Sequence, residues 1–135
     1  MSNLLAITHH LFVFGLISTI FGVYTVLKIG AWQEQIKFMK ALNRWTIGLT
    51  IGALIAGFSR AVWFEKPFTH YANQPFFWIK IASVLVILVL SLRIEKLIQV
   101  CATENQQQNL YRLTFIQMHV FPIALIGAVL MARGF

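Results

Sequence analysis

The chain has 135 residues, enough for one domain, and 59% of them are hydrophobic while only 11% are charged. About a quarter of the residues in a typical soluble domain are charged, so this composition excludes an ordinary soluble protein and indicates an integral membrane protein. The net charge of +7 does not predict a nucleic-acid partner, because the basic residues are spread over loops beside apolar runs. Anionic membrane lipids are the expected counter-ions.

Four apolar runs are long enough to cross a hydrocarbon core of about 30 Å. They extend from about Leu4 to Ile29, Trp45 to Phe64, Phe76 to Leu92 and Leu113 to Met131. Open sheet is not stable in lipid and no run alternates like a barrel strand, so all four runs predict helices. The sequence therefore predicts an all-α integral membrane four-helix bundle that forms a single domain over residues 1–135.

Basic residues set the expected orientation of the bundle. The first and third connections are flanked by Lys28, Lys37, Lys40, Arg44, Arg93, Lys96 and Arg112, and the other side has Arg60, Lys66, Lys80 and Arg133. Because cytoplasmic loops carry an excess of Lys and Arg, this bias favours both termini on the non-cytoplasmic side. Within the first connection, AWQEQIKFMKALNR has the pattern of an amphipathic segment lying on the membrane surface.

The second span carries Gly48, Gly52, Ala56 and Arg60 at four-residue spacing, which places them on one helical face. Small residues let helix backbones approach closely in lipid, so we predict that this face packs against another helix. Arg60 is then expected to point into the bundle or its outer mouth. The alternative is that Arg60 extends to the outer interface beside Trp63.

Lys80 lies about one turn into the third span, after the aromatic residues FFW. It either extends back to the lipid headgroups or meets an acid or a bound anion. Glu65 is the only acidic residue expected on that side of the membrane. Arg60, Glu65 and Lys80 are therefore the candidate members of a structural ion network.

Three histidines lie within the predicted spans. His9 and His10 are neighbours separated by about 100° around the first helix, so at most one of them points at the bundle centre. His119 lies near the middle of the fourth span, shortly before Pro122, and that proline predicts a kink. A neutral imidazole bonded to a backbone carbonyl or a serine is the simpler explanation for each histidine, and a ligand role is the alternative.

Together these residues match the requirements of a b-type haem, which needs an axial imidazole, an apolar slot and cations for its propionates. His9 and His10 are candidate iron ligands, and His119 is a candidate opposite ligand about 10 Å deeper in the bundle. Arg60 and Lys80 are expected near the propionates. The sequence has no glycine loop that binds nucleotide phosphates. It also lacks the hydrolase motifs H-E-x-x-H and G-x-S-x-G, so nothing in it supports nucleotide binding or hydrolysis of the kind seen in soluble enzymes.

Three segments carry a resemblance to a known family. HHLFVFG near the start, GFSRAVWFEK followed by HYANQPFFWIK, and the ending FPIALIGAVLMARGF are similar to an uncharacterised family of small four-span bacterial membrane proteins. The resemblance covers nearly the whole chain and implies a multi-pass protein of the bacterial inner (cytoplasmic) membrane. Pro67 stands where the family pattern usually has glycine, so the turn of the outer loop is expected to differ.

More distantly, the order of a histidine on the first span, an arginine ending the second and W-x-K opening the third resembles two other groups. These are the four-span, b-haem-associated protoporphyrinogen oxidases and the membrane domain of copper-resistance D proteins. In the oxidases an inward histidine on the first span and a lysine on the third are functional, which implies His9 or His10 and Lys80 here. The fuller signatures of that group at the cytoplasmic ends are missing.

The leading interpretation is an inner-membrane redox protein that binds haem or another porphyrin and passes electrons between quinol and another acceptor. The alternative, from a different class, is a non-catalytic assembly subunit or a small transport component that packs on a partner membrane subunit or on a second copy of itself. Copper transport ranks third, because methionine and cysteine are not clustered with the histidines as a soft-ligand site requires.

Overall fold

Five α-helices and one π-helical turn make up this computed structural model, which describes residues 2–30, 34–64, 68–100 and 104–132. The helices are α1 (Ser2–Lys28), α2 (Ile36–Ser59), α3 (Phe68–Ala72), α4 (Pro75–Val100) and α5 (Glu104–Ala132). The π-helical turn, Arg60–Phe64, follows α2 directly. Within these ranges the chain forms no strand, and the predicted all-α class is confirmed.

Four of the helices are long and apolar enough to cross a membrane. Their candidate spans are Leu4–Lys28, Ile36–Trp63, Pro75–Val100 and Asn105–Leu130. The predicted four-helix membrane architecture is therefore confirmed, whereas the side on which the termini lie stays a prediction. The helices are longer than the apolar runs, because polar and charged residues extend them at the ends.

Residues 36–44 form the first part of α2 and not a separate segment on the membrane surface. Met39 and Asn43 from this stretch are almost completely buried, whereas Lys37 and Arg44 are exposed. An amphipathic helix shows the same 3.6-residue periodicity whether its apolar face covers lipid or a neighbouring helix. The sequence pattern alone therefore does not distinguish the two arrangements.

The four long helices lie at the corners of a square when the bundle is viewed along its axis. Helices α1 and α4 each pack against both α2 and α5, and within the described residues α1 and α4 do not pack against each other. The middle of the bundle is filled by a buried layer consisting of Leu16, Ile20, Ile87 and Phe121. The end that contains the α1–α2 connection is filled by a second layer consisting of Val23, Val26, Leu27, Met39, Ile94, Ile98 and Leu110.

A hydrogen-bonded polar group joins α2, α4 and α5 at that same end. The Asn43 side-chain amide donates to the Ser91 carbonyl and to Glu95 Oε2, both at 3.0 Å. Arg44 Nε donates to Glu95 Oε1 at 3.0 Å. From α5, Gln117 Nε2 donates to Ser91 Oγ at 2.6 Å. Because lipid offers no competing hydrogen bonds, these contacts fix how the three helices pack.

Candidate functional site

A cavity of about 950 Å³ occupies the other half of the bundle, between all four long helices and the short helix α3. Its walls are mainly apolar. Leu16 and Phe121 from the middle core layer line its inner end. Ligand pockets in proteins usually measure about 300–1,000 Å³, so this cavity has room for a cofactor-sized molecule.

His9 is the buried imidazole of the cavity wall, and only 8% of its surface is exposed. Its Nδ1 lies 3.1 Å from the carbonyl oxygen of Ala53 on α2. A carbonyl oxygen only accepts hydrogen bonds, so Nδ1 carries the hydrogen. In the neutral ring Nε2 is then left with a lone pair that can bind a metal ion.

Gly57 provides the space in which the His9 ring lies. A Cβ atom added at Gly57 would come within 3.1 Å of His9 Cε1, closer than about nine in ten real Cβ contacts, so the ring would have to shift. Because glycine has no Cβ, the imidazole lies directly against the backbone of α2. The Ala53 hydrogen bond and the Gly57 contact together hold the ring in one orientation.

His10 lies beside His9 but differs from it in burial and in hydrogen bonding. Its ring is exposed, and its Nδ1 donates within α1 to the Ala6 carbonyl at 2.6 Å. The two ring centroids are 5.9 Å apart with an interplanar angle of 75°. Both rings line the cavity, but His9 is the buried one, which answers the question that the sequence leaves open.

Arg60 and Lys80 bring two positive charges to the cavity wall. Both are partly buried, and each has at least one interaction partner. Both charges lie near enough to His9 to interact electrostatically with its ring. Arg60 is the first residue of the π-helical turn, a feature that often occurs at functional sites.

The predicted ion network of Arg60, Lys80 and Glu65 remains a prediction, because Glu65 lies outside the described residues. The structure shows instead an ion pair that sequence analysis did not find, between Arg44 and Glu95 at 3.0 Å. These two residues belong to spans that are separated along the chain, and no local pattern in the sequence links them.

His119 lies away from the cavity, on the exposed face of α5. Its Nδ1 donates to the Phe115 carbonyl at 2.8 Å. Helix α5 lines the cavity with Phe121 and Ala124. Two residues along a helix correspond to about 200° of rotation, so His119 and Phe121 face nearly opposite directions. The structure therefore does not bring His119 together with His9.

The small residues of α2 face different surroundings. Gly48 is exposed, and an added Cβ there would meet nothing within 4 Å. An added Cβ at Gly52 would come within 3.1 Å of the Phe12 ring. Ala56 is buried, with 6% of its surface exposed. The close helix contact is therefore made at Gly52 and Ala56, and Gly48 faces outward.

Several cavity residues have no assigned role in the sequence analysis. They lie on or just after α3 and are His70, Tyr71 and Gln74. The indole of Trp78 anchors this segment, because its Nε1 donates to the Ala72 carbonyl at 3.0 Å. The sequence feature that could have identified them is the presence of polar residues inside the aromatic segment HYANQPFFW. The part of the chain that the structure describes contains no group of three His, Cys, Asp or Glu side chains positioned to hold a metal ion.

Comparison with known proteins places the chain in a family. No curated protein and no solved structure matches the chain. The resemblance to protoporphyrinogen oxidases and copper-resistance D proteins, and the assignment to the bacterial inner membrane, therefore stay predictions. A family model described as "Predicted membrane protein (DUF2214)" matches residues 1–135. The chain, a multi-pass membrane protein with four candidate spans, belongs to this DUF2214 family.

Proposed function

We propose that the protein binds haem b, or a closely related porphyrin, in the cavity and passes electrons between a lipid-soluble quinol and another acceptor in the bacterial inner membrane. The position of His9, a buried imidazole in the wall of a cavity that Arg60 and Lys80 also line, carries this proposal. Its Nδ1 bonds to the Ala53 carbonyl, which leaves Nε2 with the lone pair that would bind iron. Metal-binding histidines almost always donate their second ring N–H to a carbonyl, a carboxylate or water, which fixes the tautomer and the ring orientation. His9 is held in this way at the wall of a large cavity.

The chemistry of the cavity suits a flat, mostly apolar ligand with anionic groups at one edge. The apolar wall fits a macrocycle, and the two cations, Arg60 and Lys80, fit its carboxylates. A guanidinium presents paired N–H groups that match a carboxylate, and an ammonium adds a second positive charge. One axial imidazole is sufficient to hold a haem, as in globins and peroxidases.

Each residue has a defined task in this proposal. His9 would hold the iron, Arg60 and Lys80 would orient the carboxylates, and the packed layer that includes Leu16 and Phe121 would form the apolar inner end of the site. A bound haem supplies one-electron redox chemistry. The apolar wall and the hydrogen bond of His9 to the Ala53 carbonyl are the features through which this chain would tune the reduction potential of a bound haem.

A haemin titration of the purified full-length protein tests the proposal. Wild type is expected to bind about one haemin per chain with a shifted Soret band. His9→Gln is expected to abolish this band, whereas His119→Gln, on the outer face of α5, serves as the matched control and is expected to bind like wild type. Equal binding by wild type and the His9 variant, or no binding by wild type, would refute the proposal.

A second candidate function is a non-catalytic assembly subunit or a small transport component. Gly48 favours it, because this glycine lies on the exposed side of α2 with nothing within 4 Å of an added Cβ. Outward small residues let a partner helix approach closely in lipid. This function predicts that a stoichiometric partner copurifies with wild type and is lost in Gly48→Leu, and that the complex has no chromophore.

A further inference from the structure

His119 lies on the exposed face of α5 near the middle of the fourth candidate span, where we expect it to face lipid. The span covers Asn105–Leu130, so His119 is about 16 Å from its nearer end at about 1.5 Å per residue. The surface around it is apolar, with Ile116 and Ile123 exposed on the same helix. A polar ring at this depth is expensive unless its nitrogen atoms are hydrogen-bonded.

Only one of the two ring nitrogens of His119 has its hydrogen bond within the helix. Nδ1 donates to the Phe115 carbonyl at 2.8 Å, so in the neutral ring Nε2 is an acceptor. The hydrocarbon region holds neither water nor lipid groups that donate hydrogen bonds. A molecule that satisfies Nε2 must therefore bring an O–H or N–H group to the middle of the membrane.

Aromatic rings next to His119 form a row along α5, in which the planes of the Phe115 and His119 rings are tilted by 40° to each other. The Phe115 ring centroid is 4.1 Å from that of His119, and Tyr111 stacks on Phe115 with centroids 6.4 Å apart and an interplanar angle of 23°. The phenol of Tyr24 extends this row from α1, with its hydroxyl 3.1 Å from that of Tyr111. Aromatic surfaces of this kind favour a ligand that is itself an aromatic ring.

We propose that the aromatic row of Tyr111, Phe115 and His119 is a docking site for a lipid-soluble hydroquinone, whose hydroxyl donates to His119 Nε2 and whose ring packs beside Phe115. A hydroquinone has both the aromatic ring and the hydroxyl, and its apolar tail fits the lipid-facing surface. The choice of a quinol among lipid-soluble phenols rests on the proposed function, and the site lies on the side of α5 opposite the cavity.

A second copy of the chain fits this surface less well. In a symmetric contact between two α5 helices centred on His119, each copy presents the same group to the other. Two Nε2 acceptors would then face each other without a hydrogen between them. The surface therefore favours a donor-bearing ligand over self-association.

Nitrogen NMR of ¹⁵N-histidine-labelled full-length protein in lipid nanodiscs tests this site, with His119→Leu used to assign the His119 resonance. The probe is 4-nonylphenol, which has the aromatic hydroxyl and apolar tail but lacks the second hydroxyl that quinol oxidation requires. Its methyl ether, 4-nonylanisole, is the matched control. We expect the phenol to shift the His119 Nε2 resonance, the ether to leave it unchanged, and the His10 resonance to stay constant with both.

Substitutions on the same helix face sharpen the test. Phe115→Leu is expected to weaken phenol affinity, read from the shift titration, by about two- to tenfold through loss of the ring contact. Ile126→Leu, also exposed on α5, is expected to leave the phenol affinity unchanged.

Identical effects of phenol and ether on the His119 resonance, or no effect of either, would overturn the proposed docking site. A His119 shift that follows the protein-to-lipid ratio without probe would overturn it in favour of a second copy. Haem binding is tested by an optical spectrum and the docking site by nitrogen NMR, so either proposal can fail without the other.

Discussion

His9 and Ala53 connect α1 to α2 through one hydrogen bond of 3.1 Å between the imidazole Nδ1 and a backbone carbonyl oxygen. The bond joins two residues that are 44 positions apart in the chain. It points the other ring nitrogen of a buried histidine away from this carbonyl and leaves that nitrogen with the lone pair of the neutral ring.

Gly57→Ala is expected to weaken haemin affinity about tenfold. The new Cβ would lie 3.1 Å from His9 Cε1, so the ring must move by a few tenths of an ångström. Changes in the groups that orient a metal ligand typically cost 10–100-fold in affinity. A haemin titration followed by absorbance measures the effect.

Gly48→Ala is the matched control for this change, because it adds the same methyl group to the same helix where nothing lies within 4 Å. Haemin affinity should stay constant, and the helix should gain up to about 1 kcal/mol in stability from the replacement of glycine. Equal affinities in the two variants would show that the contact with His9 does not matter for binding.

Arg60→Gln and Lys80→Gln are each expected to lower haemin affinity about tenfold while the protein stays folded. Each variant would lose the proposed charge-assisted hydrogen bond to a haem carboxylate, and glutamine keeps much of the side-chain volume. Lys96→Gln is the control, because Lys96 is exposed on α4 and does not line the cavity. Affinity from titration and helical content from circular dichroism are measured together. A loss of folded protein in both cavity variants would indicate the structural ion network with Glu65 instead.

Asn43→Ala is expected to lower the free energy of unfolding by about 1–3 kcal/mol, because its amide donates to both the Ser91 carbonyl and Glu95 Oε2 inside the bundle. Arg44→Ala removes the other partner of Glu95, but the Arg44 side chain is 63% exposed, so the expected cost is at most about 1 kcal/mol. Denaturation in mixed micelles compares the two. The opposite order of stabilities would mean that the ion pair, and not the buried amide, holds α2 to α4.

Gly52→Leu is expected to destabilise the bundle by about 1–3 kcal/mol, because even a Cβ at this position would come within 3.1 Å of the Phe12 ring. Gly48→Leu makes the same substitution one turn away on the open side of α2 and should change stability by less than about 1 kcal/mol. Thermal unfolding in detergent measures both variants. An unchanged melting temperature in Gly52→Leu would reject the close contact between α1 and α2.

The four helices were predictable because the length of an apolar run decides whether it crosses lipid, and this property is local. The role of residues 36–44 was not predictable, because a helical face buried by α4 has the same periodicity as one that covers lipid. The separation of His9 from His119 depends on how α1 and α5 are rotated about their axes. That rotation is fixed by contacts between distant residues, such as the bond of Gln117 to Ser91.

Some features of the cavity were also predictable from local sequence, whereas others depend on contacts between distant residues. His9, Arg60 and Lys80 were recognisable in the sequence as polar residues in or beside apolar runs, and all three line the cavity. It left open whether His9 or His10 is buried, because two neighbouring residues have almost the same sequence surroundings. The space for the His9 imidazole lies on another helix, where Gly57 of α2 has no Cβ to meet the ring.

The most direct test of the central claim is an absorption spectrum of the detergent-purified protein, oxidised and then reduced with dithionite, with a pyridine haemochrome assay for stoichiometry. The account predicts a reducible b-type spectrum at about one haem per chain, and loss of that spectrum in His9→Gln with the protein still folded. A folded wild-type protein that stays colourless after expression with ample haem, and that binds none when haemin is added, would contradict it.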